Sequence, residues 1–170
     1  MGNKMRDIYI EKLTLNVGAG KDQDKLDKGM KLIEYLTGVK PVKTKTTKRI
    51  PGWGIRPGLP IGCKVTIRGD HKKELIKKFV EAKENLLKPT QFDNNGNVSF
   101  GVHEYINIPG VKYNPEIGIM GFQIAITLSR PGHRIARRRM GKCKVPHKQR
   151  ITREEAIDFM KKEFNVELDE

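Results

Sequence analysis

Eight consecutive residues, Phe122 to Ser129, alternate without a break: Phe122, Ile124, Ile126 and Leu128 fall on one side, and Gln123, Ala125, Thr127 and Ser129 on the other. A period of two is strand geometry, because successive side chains of an extended chain point to opposite faces. A segment with one apolar and one polar face has to be covered on one side and open on the other. The pattern recurs in Leu13-Thr14-Leu15-Asn16-Val17. It recurs again where Ile61, Cys63, Val65 and Ile67 oppose Lys64, Thr66 and Arg68, and in Val98, Phe100 and Val102. Val42, Thr44 and Thr46, alternating with Lys43 and Lys45, make a shorter fifth strand. Such strands belong to an antiparallel sheet with cover on one face.

The cover is legible as helices. Asp22 stands before Leu26, Met30, Ile33 and Leu36, which recur at helical spacing until Gly38. A second helix is predicted from about His71 to Lys88, with Leu75, Phe79, Ala82 and Leu86 on one face and Pro89 as its stop. Thr152 with Glu155 forms a capping box for a third, carrying Ala156, Met160 and Phe164. The expected fold class is α+β, a curved antiparallel sheet of about five strands with helices packed on one face. In a chain of 170 residues this makes a single domain. Its expected parts are a core over 1–129 with a protruding loop at 48–60, a basic arm at 130–150, and a C-terminal helix at 151–170 packing on the core. The uncovered face would carry Thr14, Asn16, Lys43, Lys45, Lys64, Thr66, Arg68, Gln123 and Thr127.

Charge says what that face meets. The net charge is +14, and it is concentrated. Lys40 to Gly69 holds eight Lys/Arg and Arg130 to Arg150 holds nine, with no acid in either segment, leaving 17 basic residues against 20 acidic ones elsewhere. An acidic scaffold bearing two purely basic segments is built to neutralise phosphates. The first segment contains "KRIPGWGIRPGLPIG", a proline- and glycine-rich loop that holds Trp53 among Lys48, Arg49 and Arg56. In the second, Arg134 and Arg137-Arg138-Arg139 read as an arm that orders on an RNA backbone.

Other chemistries find little footing. "NVGAGKD" leaves a strand and enters a helix as a phosphate loop does, but Leu15 stands where the first glycine is needed and Asp22 where Ser or Thr belongs. Cys63, Cys143 and four histidines show no metal-ligand spacing, and the two cysteines are too few for a disulfide framework. No carboxylate or histidine lies in an apolar setting beside a nucleophile, so no catalytic residue, metal or cofactor is expected. The opening "MGNKMRDIYI" lacks the apolar run of a secretory signal, and no stretch has the ~20 apolar residues that cross a bilayer. Two alternatives stay open: an RNA-processing or nucleotide-dependent enzyme using Gly18, Gly20 and Lys21, and a DNA-binding architectural protein using the arginine-rich arm.

"TLNVGAG", "TGVKPVKTKTTKRIPGWGIRPGLPIGCKVTIRG" and "FGVHEYINIPG" resemble the ribosomal L5 family of the large subunit, from the first strand to about Ser129. The ending "LSRPGHRIARRRMGKCKVPHKQRITREEAIDFM" is similar to the archaeal and eukaryotic branch. The resemblance implies a non-enzymatic protein of the cytoplasmic ribosome that anchors 5S rRNA in the central protuberance. Its partners would be 5S rRNA, large-subunit rRNA, peptidyl-site tRNA, neighbouring large-subunit proteins and a small-subunit head protein. By that resemblance the family's 5S rRNA contacts fall on Asn16, Val39 and Thr66, with Lys40, Lys43, Lys45, Lys64 and Arg68 around them. Val39 stands where many bacterial members carry glutamine, which removes a side-chain amide and leaves the backbone. The 48–60 loop would face tRNA, with Trp53 at a position where relatives often have phenylalanine.

Overall fold

A computed structural model describes residues 3–169; the first two residues of the expected core segment and Glu170 at the end of the last one lie outside it. β1 (Tyr9–Gly18) is the centre of a five-stranded, wholly antiparallel sheet. Beside it on one flank lie β3 (Pro60–Ile67) and then the edge strand β2 (Val42–Lys45); on the other flank lie β6 (Phe122–Ser129) and then β5 (Val98–Val102). The alternating residues behave as their period demands. Leu13, Leu15, Val17, Cys63, Val65, Ile67, Val98, Phe100, Val102, Phe122, Ile124, Ile126 and Leu128 are all buried on one side.

Three helices supply the cover. α1 (Gln23–Thr37) buries Leu26, Leu32 and Ile33, and leaves Met30 and Leu36 half-buried. Gly29 lets it approach the sheet closely: a Cβ there would lie 2.9 Å from Val17 Cγ1. Gly38 ends the helix in the left-handed region at φ 67°, donating its amide to the Glu34 carbonyl. Asp22 sits at the N-cap position without making a side-chain cap bond. α3 (Arg153–Phe164) has the expected capping box, with Thr152 accepting from the Glu155 amide, and buries Ala156, Met160 and Phe164.

α2 is shorter than its periodicity predicts. It runs Lys72–Glu81 and buries Ile76, Phe79 and Val80. The chain then turns through Glu84 and Asn85, both at positive φ, into a two-residue strand, β4 (Leu86–Leu87). That strand pairs in parallel with β7 (Glu167–Leu168), beyond α3. Leu86, which fits the helical stripe, is exposed, while Leu87 is fully buried. A partner from the far end of the chain gives the Asn85 and Leu87 carbonyls a use, as the Glu167 amide donates to Asn85 and the Asp169 amide to Leu87. No local pattern announces this.

The segment after β6 is tied to the body at several points. The Arg130 side chain is buried and donates to the Arg6 carbonyl, the Arg150 carbonyl and the Glu155 carboxylate. Gln149 donates to the Met5 and Pro131 carbonyls. The chain at 133–149 includes two short 3-10 turns, His133–Ala136 and His147–Gln149. Arg130, one of the basic arm's nine cations, serves as an internal staple.

Candidate nucleic-acid interface

Cross-strand register decides which side chains share the uncovered face. One row crosses all five strands: Val42 on β2 pairs with Lys64, Lys64 with Asn16, Asn16 with Gln123, and Gln123 with Gly101 on β5. The next row is Thr66, Thr14, Ala125 and Ser99. Beyond it Lys12 faces Thr127, and Arg68 follows Thr66 by alternation. In the other direction lie Thr44, Gly62 and Gly18. These rows contain cations, hydroxyls, amides and glycines, and no acid. Asn16, Thr66, Lys64, Arg68, Gln123 and Thr127 therefore come together as the alternation predicts.

Lys43 does not join them. Its register partner is Cys63, which is fully buried, so Lys43 stands on the helix-covered side and its ammonium meets Asp27 of α1 at 3.2 Å. Lys45 lies outside the rows as well: the pairing shifts after Thr44, and Lys45 aligns with Pro60 at the end of β3. Val42 and Thr44 take the open face instead, Val42 with 64% of its surface exposed. The expectation that Val42 points inward fails because β2 is an edge strand whose pairing with β3 sets its faces, and hydrogen-bond register outranks the small gain from burying one valine.

Lys12 is a face residue that the alternation did not yield, whereas Ser99 follows from the alternation of Val98, Phe100 and Val102. Lys12 follows a bulge in β1, where pairing shifts between Ile10 and Lys12. The signal was present: Ile10 and Leu13 are both buried, and a spacing of three breaks a period of two. The displaced Glu11 accepts a bidentate ion pair from Arg137 of the basic arm. The Arg137 guanidinium holds the Glu11 carboxyl below its ordinary range against the opposing effect of burial. Arg137 is thus neutralised at the end of the sheet. Arg134, Arg138 and Arg139 remain exposed, with Arg138 Nε donating to the Gly141 carbonyl at 2.8 Å.

Val39 and Lys40 lie in the turn after α1, both exposed. The Val39 amide donates to Thr37 Oγ1 at 3.2 Å and the Val39 carbonyl accepts from the same hydroxyl at 3.4 Å, which leaves the carbonyl one lone pair for a further donor. The 48–60 loop leaves the opposite end of β2, after Lys45, and returns into the start of β3 at Pro60. Ile50 and Ile55 exchange two backbone hydrogen bonds, and Ile55 is buried beneath them. The closed turn Pro51–Trp53 projects Trp53 with 71% of its surface exposed, and Lys48, Arg49 and Arg56 are exposed around it.

The glycine turn after β1 is already occupied. The amides of Ala19 and Gly20 both donate to the Ile61 carbonyl at 3.0 Å. A phosphate-cradling nest needs such amides free, so the sequence likeness to a nucleotide loop has no structural counterpart here. Cys63 sits in the core, where burial pushes its thiol up to about 11, while Cys143 is exposed on the arm. No helix among the described residues is long and apolar enough to cross a membrane.

The family model described as ribosomal protein L5 matches residues 3–56, and the model for the C-terminus of the same ribosomal family matches 60–159. The chain belongs to the ribosomal L5 family. It is 48% identical to the large ribosomal subunit protein uL5 of Sulfolobus acidocaldarius, across 98% of this chain and 93% of that one. It is 46% identical to the uL5 proteins of Methanosphaera stadtmanae, over 98% of this chain and 99% of the relative, and of Nanoarchaeum equitans, over 99% of each. Members of the L5 family are structural, non-enzymatic proteins of the large ribosomal subunit, and this one works in the cytoplasm as part of the ribosome and binds rRNA.

Proposed function

We propose that the uncovered sheet face grips 5S rRNA and so anchors it in the large subunit. The observation that carries this reading is the register itself: Lys64, Asn16 and Gln123 stand abreast, with Thr66 and Thr14 in the adjoining row, on one acid-free surface opposite the helices. Lysine and arginine meet phosphates, while hydroxyls and amides meet 2′-hydroxyls and base edges. The shallow minor groove of A-form RNA suits a surface of short side chains. Val39 and Lys40, beside the end of the face, extend the contact through the Val39 carbonyl and the Lys40 ammonium. The arm residues Arg134, Arg138 and Arg139 lie on large-subunit rRNA, and exposed surfaces elsewhere meet neighbouring central-protuberance proteins and a small-subunit head protein.

The 48–60 loop reaches peptidyl-site tRNA. Trp53 is held in the open by a closed backbone turn, at little entropic cost on docking, and an aromatic in that position stacks on a base or sugar for ~1–3 kcal/mol.

Footprinting of 5S rRNA with the wild type and an Asn16→Ala/Thr66→Ala variant tests the face. Protection centred on one helix should weaken in the variant while the fold, followed by circular dichroism, is unchanged. Identical protection by both proteins would remove the face from the interface.

A further inference from the structure

Across β1 and β6, Asn16 Nδ2 donates to Gln123 Oε1 at 3.1 Å. A carboxamide has two N–H donors and an oxygen with two lone pairs. The mutual bond uses one Asn16 hydrogen and one Gln123 lone pair. Among the described residues, both Gln123 Nε2 hydrogens, the second Asn16 hydrogen and the Asn16 oxygen stay unspent. These groups stand side by side on the open face, Gln123 exposed and Asn16 half-buried. Each amide limits the other's rotation, so donors and acceptor are oriented before any ligand arrives.

The surroundings select the ligand. Lys64 adjoins Asn16 in the same row, supplying positive charge. Gly101, Ala125 and Ser99 border Gln123 on the other side, leaving a low floor of short side chains. A broad, anionic surface can settle over the open hollow that Thr14, Asn16, Ser99, Gly101, Gln123 and Ala125 line. A group that both donates and accepts satisfies the pair fully, and the ribose 2′-hydroxyl is such a group. DNA offers phosphates to Lys64 equally well but has no 2′-hydroxyl.

We propose that the Asn16–Gln123 amide pair makes this face selective for RNA over DNA. Gln123 Nε2 donates to the RNA while its Oε1 holds Asn16 so that Oδ1 accepts from a ribose 2′-hydroxyl in the minor groove. This deepens the reading of the face as the rRNA-binding surface and rests on it.

The test compares affinities of the full chain for a hairpin from 5S rRNA, the same hairpin with 2′-deoxy nucleotides at the footprinted positions, and a DNA hairpin of matched sequence. Gln123→Met keeps the bulk of the side chain and removes its hydrogen bonding; Lys64→Ala removes the ammonium and its stem while keeping both amides. In Gln123→Met the RNA-to-DNA affinity ratio should fall by roughly three- to tenfold, the range of one net hydrogen bond. The 2′-deoxy penalty seen with wild type should shrink correspondingly, as coupled partners require. Salt dependence should not change. A ratio unaltered in Gln123→Met, with Lys64→Ala weakening both nucleic acids, would overturn the amide pair while leaving the face in place. If neither variant affects any ligand, the face is not the interface and both readings fall.

Discussion

Lys43 and Lys64 lie on adjacent strands, carry the same charge and sit in the same acid-free segment, yet they should behave differently toward RNA. Lys64 stands in the row with Asn16, while Lys43 is on the covered side, paired to Asp27. A lysine that neutralises a phosphate contributes through counterion release, lowering the log–log slope of affinity against salt by about 0.7–0.9 when removed. At ~0.1 M salt that amounts to a roughly five- to eightfold loss of affinity. Lys64→Ala should show both effects. Lys43→Ala takes no charge from the open face; at ~0.1 M salt the screening length of about 10 Å limits its influence to less than about twofold. Its ion pair with Asp27 is largely exposed, and such pairs are worth ~0–1 kcal/mol, so the fold survives the change. The assay is a titration of labelled 5S rRNA at four salt concentrations, with thermal melts of each protein beside it. If Lys43→Ala flattens the slope as much as Lys64→Ala does, the cross-strand register is not what selects the contacting lysines, and the reasoning fails.

Two further outcomes follow from the side-chain environments. Cys63 is fully buried with its thiol raised to about 11, whereas Cys143 is exposed; at pH 8 the folded protein should give about one fast equivalent with a thiol reagent and two after unfolding, and two fast equivalents in the native state would contradict the buried placement. The Glu155 carboxyl is opposed by burial, but the Thr152 amide and the Arg130 guanidinium outweigh it and hold the carboxyl below the ordinary 4.5. A depressed folded value means that the stabilisation is complete above about pH 4.5 and disappears as pH falls through the lower folded value. Melting temperature should therefore drop on acidification below that point, and drop less steeply in Glu155→Gln; equal slopes would show that the Arg130 staple does not depend on the charge.

The covered side of the sheet was legible in the sequence because a period of two leaves no choice once the core side is known. Leu13, Leu15 and Val17 fix the opposite direction of Thr14 and Asn16, and Phe122 to Leu128 fix that of Gln123 and Thr127. Two acid-free segments likewise declare a polyanionic partner, since neither contains an acid of its own to neutralise its cations. Where the pattern was weak, pairing decided. Valine, threonine and lysine in β2 are each tolerated on either face, so only the alignment of Lys43 with Cys63 turned that lysine away from the open surface. The helical stripe ending in Leu86 was real as spacing, but backbone partners from the far end of the chain prevailed over it.

Local order in the chain sets which way each strand faces, because alternation is a property of consecutive residues. Assembly of the interface is not local: Lys64, Asn16 and Gln123 come from three strands and meet only when hydrogen-bond register brings them level. The same holds for Arg137, whose charge was legible but whose partner, Glu11, is 126 residues away and displaced toward it by a bulge. Composition determined that this protein carries cations for a polyanion, and tertiary structure determined which of them are free to meet it, because neutralisation by a neighbour depends on distance in space and not along the chain.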